Sequence, residues 1–187
     1  MLKRTLSYFI LGICLFINPL LSAGSSDFGP EGTVYLAVNI HYQVHSHDNK
    51  ASYANWTDPG EGHKILAVNT PVKIERWGRR GFKIIDMNTN TVVLFEYNKK
   101  RMEIPIEKYL QIITSPAKES LDNLSEADKK GIREGKLVYG MSKKGVMMAL
   151  GYPATHRTPS LDSNTWIYWT NRFTTFEVNF NDKGLVQ

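Results

Sequence analysis

The last third of the chain constrains the fold most, because its helix starts and stops are written in the residues. Ser125-Glu-Ala-Asp128 has the form of a capping box: the Ser hydroxyl accepts from a free amide of the first turn, and the acid reaches back. The helix it starts runs to about Glu134, and Gly135 supplies the left-handed stop. Ser142 then caps a second helix with Val146, Ala149 and Leu150 on one apolar face. Gly151 ends it and Pro153 blocks its continuation. Beyond them Trp166 and Tyr168 share one strand face, as do Phe176, Val178 and Phe180, with Glu177 and Asn179 opposite. That alternation belongs to a sheet with one buried and one wet face.

The beginning of the chain reads as an address. Lys3 and Arg4 precede an almost wholly apolar run from Leu6 to Leu21, and Leu-Ser-Ala23 offers small residues for cleavage. This is the layout of a secretory signal peptide over residues 1–23. Asn18-Pro19 interrupts the run and no charged stop follows, so a spanning helix of about 20 apolar residues is the weaker reading. Cys14, the single cysteine, lies inside the run; a lipid on it is the competing expectation, disfavoured by the bulk of Ile13. Cleavage after Ala23 leaves no thiol and hence no disulfide or thiol chemistry. It also removes Lys3 and Arg4 from a net charge of +5. The mild positive balance that remains is interspersed with acids, unlike the basic stripe of a nucleic-acid binder. The basic runs at Arg76–Arg80 and Asn98–Arg101 read as solvated turns.

Residues 24–32 read as a flexible leader. Residues 33–113 carry strand signals: Val34–Ile40, Val72–Ile74, Phe82–Ile85 and a hairpin over 92–106 that turns at Asn98–Arg101. His45 to His63 has no periodicity and reads as a long surface loop. Ile106, Tyr109, Leu110 and Ile113 fall at helical spacing after Pro105 and predict a short amphipathic helix. The expected fold is therefore α+β: a small SH3-like β-barrel over 33–113, a linker over 114–124, and two short helices on a small antiparallel sheet over 125–187.

At Ile132–Gly135, Gly140-Met-Ser142, Leu150-Gly-Tyr-Pro153, Trp166-x-Tyr168, Val178-x-Phe180 and Gly184 the chain resembles the SmpA/OmlA family. These are small BamE-like lipoproteins of the outer-membrane barrel-assembly machine. The resemblance covers residues 125–187. It implies a BamE-like domain, a periplasmic location or the periplasmic face of a Gram-negative outer membrane, and a role linked to outer-membrane assembly or integrity. Family members carry a cysteine at the mature start, which cleavage after Ala23 does not leave here, and a separate β-rich segment precedes the motif.

No Gly-x-Ser-x-Gly elbow or other nucleophile–base arrangement is present, so the expectation is a non-enzymatic protein with no cofactor. His41, His45 and His47, with His63 at the far end of the loop, form the one ligand-like group. They define the alternative reading of a metal-binding protein or hydrolase. The stronger lead is aromatic. Trp169, Arg172, Trp56 and Tyr53 are of the residue types that anchor protein contacts. They serve either packing within the chain or a partner, which is expected to be another envelope protein or peptidoglycan.

Overall fold

The computed structural model describes residues 32–79 and 81–187, so the expected signal peptide, Cys14 and the leader up to residue 31 lie outside the described residues. The first seven strands are β1 (Val34–Leu36), β2 (Ile40–Val44), β3 (Asn49–Ser52), β4 (His63–Leu66), β5 (Pro71–Trp77), β6 (Gly81–Asp86) and β7 (Val92–Glu96). Helices α1 (Lys99–Met102) and α2 (Ile106–Ile113) follow, then strand β8 (Thr114–Ser115). Helices α3 (Glu126–Glu134) and α4 (Lys143–Leu150) and strands β9 (Thr165–Trp169) and β10 (Thr175–Asn179) complete the order.

Strands β1 to β8 form one sheet in the order β4-β2-β3-β7-β6-β5-β1-β8. It is mixed, because β3 and β7 run parallel while the other neighbours are antiparallel. Its curvature follows from connectivity. β1 and β2 stand five places apart in the sheet, about 24 Å if it were flat. The chain between Leu36 and Ile40 reaches only about 14 Å. The sheet must roll up, and it does so as a half-barrel. Apolar positions from both arms fill the concave side: Phe82 and Phe95 stack at 4.6 Å between centroids, and Tyr109 of α2 lies 5.5 Å from Phe95. Val72, Ile84, Leu110 and Ile113 are fully buried around them.

A second core forms where α3 and α4 meet the two-stranded sheet of β9 and β10. Trp166, Tyr168, Val178 and Phe180 pack there against Val146 and Leu150, and Met147 touches both cores. The helix ends are those read from sequence. Ser125 and Asp128 make the reciprocal capping box, Gly135 ends α3 at φ 61°, and Ser142 caps α4. Asp128 ties the two helix starts together. Its buried carboxylate accepts from Ser125 Oγ at 3.0 Å, from Ser142 N at 2.7 Å and from Ser142 Oγ. Gly145 leaves room for it, since a Cβ there would fall 1.8 Å from Asp128 Oδ1. Gly145→Ala should displace the carboxylate and destabilise the protein by about 1–3 kcal/mol. Thermal melting checks this, and an unchanged midpoint would show that the network yields without loss.

The expected fold class is corrected. The first part is not a five-stranded SH3-like barrel but supplies seven strands of an eight-stranded mixed sheet. Residues 125–187 are not a BamE-like small two-helix domain. Helices are few and short, sheet dominates, and the last turn of α4 is completed by the first part of the chain. The carbonyl of Met148 accepts from Asn39 N at 2.7 Å, and that of Ala149 accepts from His41 Nε2 at 2.9 Å and Asn39 Nδ2 at 3.2 Å. Four local differences explain the error. Asn39, fully buried, breaks Val34–Ile40 into β1 and β2, and its side chain also bonds the carbonyl of Ile132 and the amide of Val68. β3 and β4 lie within or at the end of the stretch read as a loop. The hairpin expected at Asn98–Arg101 is helix α1, with Asn98 as its cap and Glu103 left-handed at its end. The expected linker holds β8 and is fastened where Asn69 exchanges two hydrogen bonds with the Glu119 backbone.

Candidate functional site

The four anchors read from sequence come together. Tyr53, Trp56, Trp169 and Arg172 line one cavity of about 500 Å³ with Glu96 and Arg101. A second hollow of about 520 Å³ shares Ser52, Trp56, Glu96 and Arg172 with it and extends to Lys50 and Phe173. The two form a single groove across the junction of the half-barrel and the β9–β10 hairpin.

Backbone hydrogen bonds set its walls. Tyr53 N donates to Glu96 O at 2.9 Å, which fixes the end of β3 beside β7. Asn55 is left-handed at φ 45° and its side-chain amide donates to Tyr152 O, turning the chain out of β3. Thr57 N and Asp58 N donate to Trp169 O and Thr170 O, each at 2.9 Å, so Trp56 is carried up to the end of β9. Arg172 and Phe173 sit in the tight turn after β9. Asn171 Oδ1 accepts from Phe173 N and Thr174 N there, an Asx-turn that holds the tip. Phe173 is 85 % exposed with the Arg172 guanidinium 5.6 Å from its ring centre.

Trp169 is half-buried. Its ring lies over His156 at 6.4 Å, and His156 in turn faces Tyr53 at 6.2 Å. His156 Nε2 is 3.4 Å from Arg101 Nη1. Burial and then the neighbouring Arg101 charge lower the His156 pKa, which favours the neutral ring. Two buried polar atoms at this floor, Trp169 Nε1 and His156 Nδ1, have no hydrogen-bond partner. Among the described residues neither Arg101, Arg172 nor Glu96 belongs to an ion pair, whereas Lys50 pairs with Asp48 at 3.4 Å.

Arg101, Glu96, His156 and Phe173 escape the sequence reading. Arg101 stands in a basic run that looks like a solvated turn, and only the cap at Asn98 hints that the run is a helix aimed at a neighbour. Phe173 carries a signal that could have been used: a large apolar residue inside the polar turn Thr170–Thr174.

The histidines separate instead of clustering. His45 and His47 lie on the exposed β2–β3 turn, where His45 N donates to Asp48 O. His41 is buried on β2, and the diagonal position on β4 brings His63 against it. The rings stack 10° from parallel with centroids 5.2 Å apart, and His41 Nδ1 is 3.0 Å from His63 Nε2. The Ala149 carbonyl can only accept, so His41 carries its proton on Nε2 and its Nδ1 accepts from His63. Burial is the main reason that the His41 pKa falls to about 4. The His63 pKa is lowered too, by burial first, with Asp58 opposing and Lys136 assisting. Among the described residues no group of three His, Cys, Asp or Glu is placed to hold a metal ion. His63 and Asp58 instead border a separate hollow of about 460 Å³ with Gly135, Lys136, Leu150 and Phe176.

Compared with family models, curated proteins and solved structures, the chain matches none.

Proposed function

We propose that this chain is an exported, non-enzymatic protein of the cell envelope, located in the periplasm or on the periplasmic face of an outer membrane, and that it works by binding a partner protein. The observation that carries the reading is the convergence of Tyr53, Trp56, Trp169 and Arg172, distant in sequence, on one groove with Arg101 and the exposed Phe173. Trp, Tyr and Arg dominate the energetics of protein contacts because each offers a large rigid surface and a polar handle. Ordinary core packing does not call for an 85 % exposed Phe beside a guanidinium that meets no carboxylate among the described residues. Export is supported by the pattern of Lys3, Arg4 and Leu6–Leu21. A role without catalysis is supported by the lack of a nucleophile–base motif in the sequence. Phe173 favours a protein over peptidoglycan, since an exposed ring at a hairpin tip needs an apolar counterpart.

The test separates packing from binding. Arg172→Ala with Phe173→Ala should leave the melting temperature unchanged, both side chains being exposed. The same double change should abolish photo-crosslinked capture of an envelope protein through a probe placed at Trp56. Trp169→Ala should lose both, with about 1–3 kcal/mol of stability gone because its ring covers His156. Capture that survives the Arg172/Phe173 change would refute the binding role of the groove.

A further inference from the structure

The groove is rich in donors and poor in acceptors. Indole N–H groups and guanidiniums donate and cannot accept. Trp56 supplies an indole and Arg101 and Arg172 two guanidiniums. Against them stands a single carboxylate, Glu96. Among the described residues neither guanidinium meets a carboxylate within ion-pair distance. Ser52 Oγ accepts from Ala54 N and keeps its own proton free for a further acceptor. Lys99 and Lys100 stand exposed on α1 beside Arg101, while Lys50 in the second hollow is paired with Asp48. A ligand that satisfies this wall must bring acceptors and negative charge, and must also bring apolar side chains for Trp56 and Phe173.

We propose that the groove takes an extended, acidic peptide segment of the partner, with carboxylates received by Arg101 and Arg172 and apolar side chains laid between them against Trp56 and Phe173. This rests on the reading of the groove as a protein-binding site and adds the chemistry of what enters it. Two linked hollows of about 500 and 520 Å³ sharing four residues suit an elongated occupant better than a compact one. Guanidiniums suit carboxylates because their paired N–H groups match the two oxygens, and the match is stronger than between neutral groups.

The experiment is fluorescence anisotropy with the whole protein and a labelled octapeptide of alternating acidic and apolar residues, beside a counterpart with every acid replaced by lysine. The acidic probe should bind saturably and weaken as salt rises. The lysine probe should bind at least tenfold more weakly. Arg101→Glu with Arg172→Glu should weaken the acidic probe at least tenfold without changing the melt, while Arg101→Lys with Arg172→Lys should retain charge-driven binding. Equal binding of both probes, indifference to charge reversal, or no saturable binding of the acidic probe would each overturn the proposal. If capture of a partner still depends on Trp56 and Phe173 in any of those cases, the acidic specificity fails and the protein-binding groove stands. If instead purified peptidoglycan sediments the protein and Trp56→Ala prevents it, while neither probe binds, both readings fall.

Discussion

Trp166→Ala is expected to destabilise the protein by about 3–5 kcal/mol, the cost of removing a large buried aromatic and leaving a cavity that its neighbours close only in part. The ring is 2 % exposed and wedged between β9 and the helix pair. The Phe180 ring lies 67° from its plane with centroids 4.9 Å apart, and the Lys143 ammonium stands 5.7 Å from its centre while bonding the carbonyls of Leu161 and Asp162. The loss would take much of the stability of an ordinary domain, about 5–15 kcal/mol in total. Trp166→Phe should cost far less, about 1–2 kcal/mol. Trp166 Nε1 is buried without a hydrogen-bond partner, so losing that donor removes an uncompensated desolvation cost. Urea unfolding of both variants checks the pair. Equal losses would mean that the indole nitrogen has a partner in solution, and no loss for Ala would mean that the ring is not a core element.

That ring was legible in the sequence because its surroundings obey a strict period. Trp166 and Tyr168 alternate with Thr165, Ile167 and Trp169, and the burial alternates with them. Helices α2, α3 and α4 were legible for the same reason: spacing sets the buried face, and Ser125, Gly135, Ser142 and Gly151 set the ends by chemistry that acts within a few residues. What could not be read depends on distant partners. β3 is Asn-Lys-Ala-Ser, with no hydrophobic signature, and becomes a strand because β2 and β7 flank it on both sides. Only Ala51 and Ser52, both small, are buried there. The break at Asn39 is equally hidden, since an Asn within an apolar run announces itself only when the α4 carbonyls it bonds are in place. These long-range pairings are what turned an expected five-stranded barrel and a separate two-helix domain into one half-barrel with α4 fastened to its side.

The candidate groove divides in the same way. Residue type alone marked Tyr53, Trp56, Trp169 and Arg172, because Trp, Tyr and Arg are the side chains enriched at the energetic centres of protein contacts. Their convergence required β3, the Asn55 turn and the two bonds from Thr57 and Asp58 to the end of β9, none of which leaves a local pattern. Arg101 joined them through α1, which the sequence presents as a turn. The histidines erred in the other direction. Proximity in sequence suggested a shared site for His41, His45 and His47, but β2 ends at Val44, which sends His41 inward and the other two to solvent.

His41 should make the protein sensitive to mild acid. It is held neutral between the Ala149 carbonyl at the end of α4 and His63 on β4, at the seam between the half-barrel and the helices. Its folded pKa is depressed to about 4, against an ordinary histidine near 6.5 in the unfolded chain. Between those values the unfolded state binds a proton that the folded state refuses, so stability falls as pH falls. The contribution is complete above pH 7 and should decline by about 2 kcal/mol at pH 5 and about 3 kcal/mol at pH 4. His63 acts in the same sense, since its pKa is lowered as well. Protonation at His41 Nδ1 would oppose the His63 N–H that it now accepts, so the pair would have to separate or exchange its tautomer. Urea unfolding at pH 7, 6, 5 and 4 measures the slope, and His41→Gln isolates this group from the carboxylates that titrate in the same range. The variant should be less stable at pH 7, where the His41 contacts are lost, and should show a shallower decline between pH 7 and pH 5. Parallel curves for the two proteins would place the acid sensitivity elsewhere and leave His41 as packing alone.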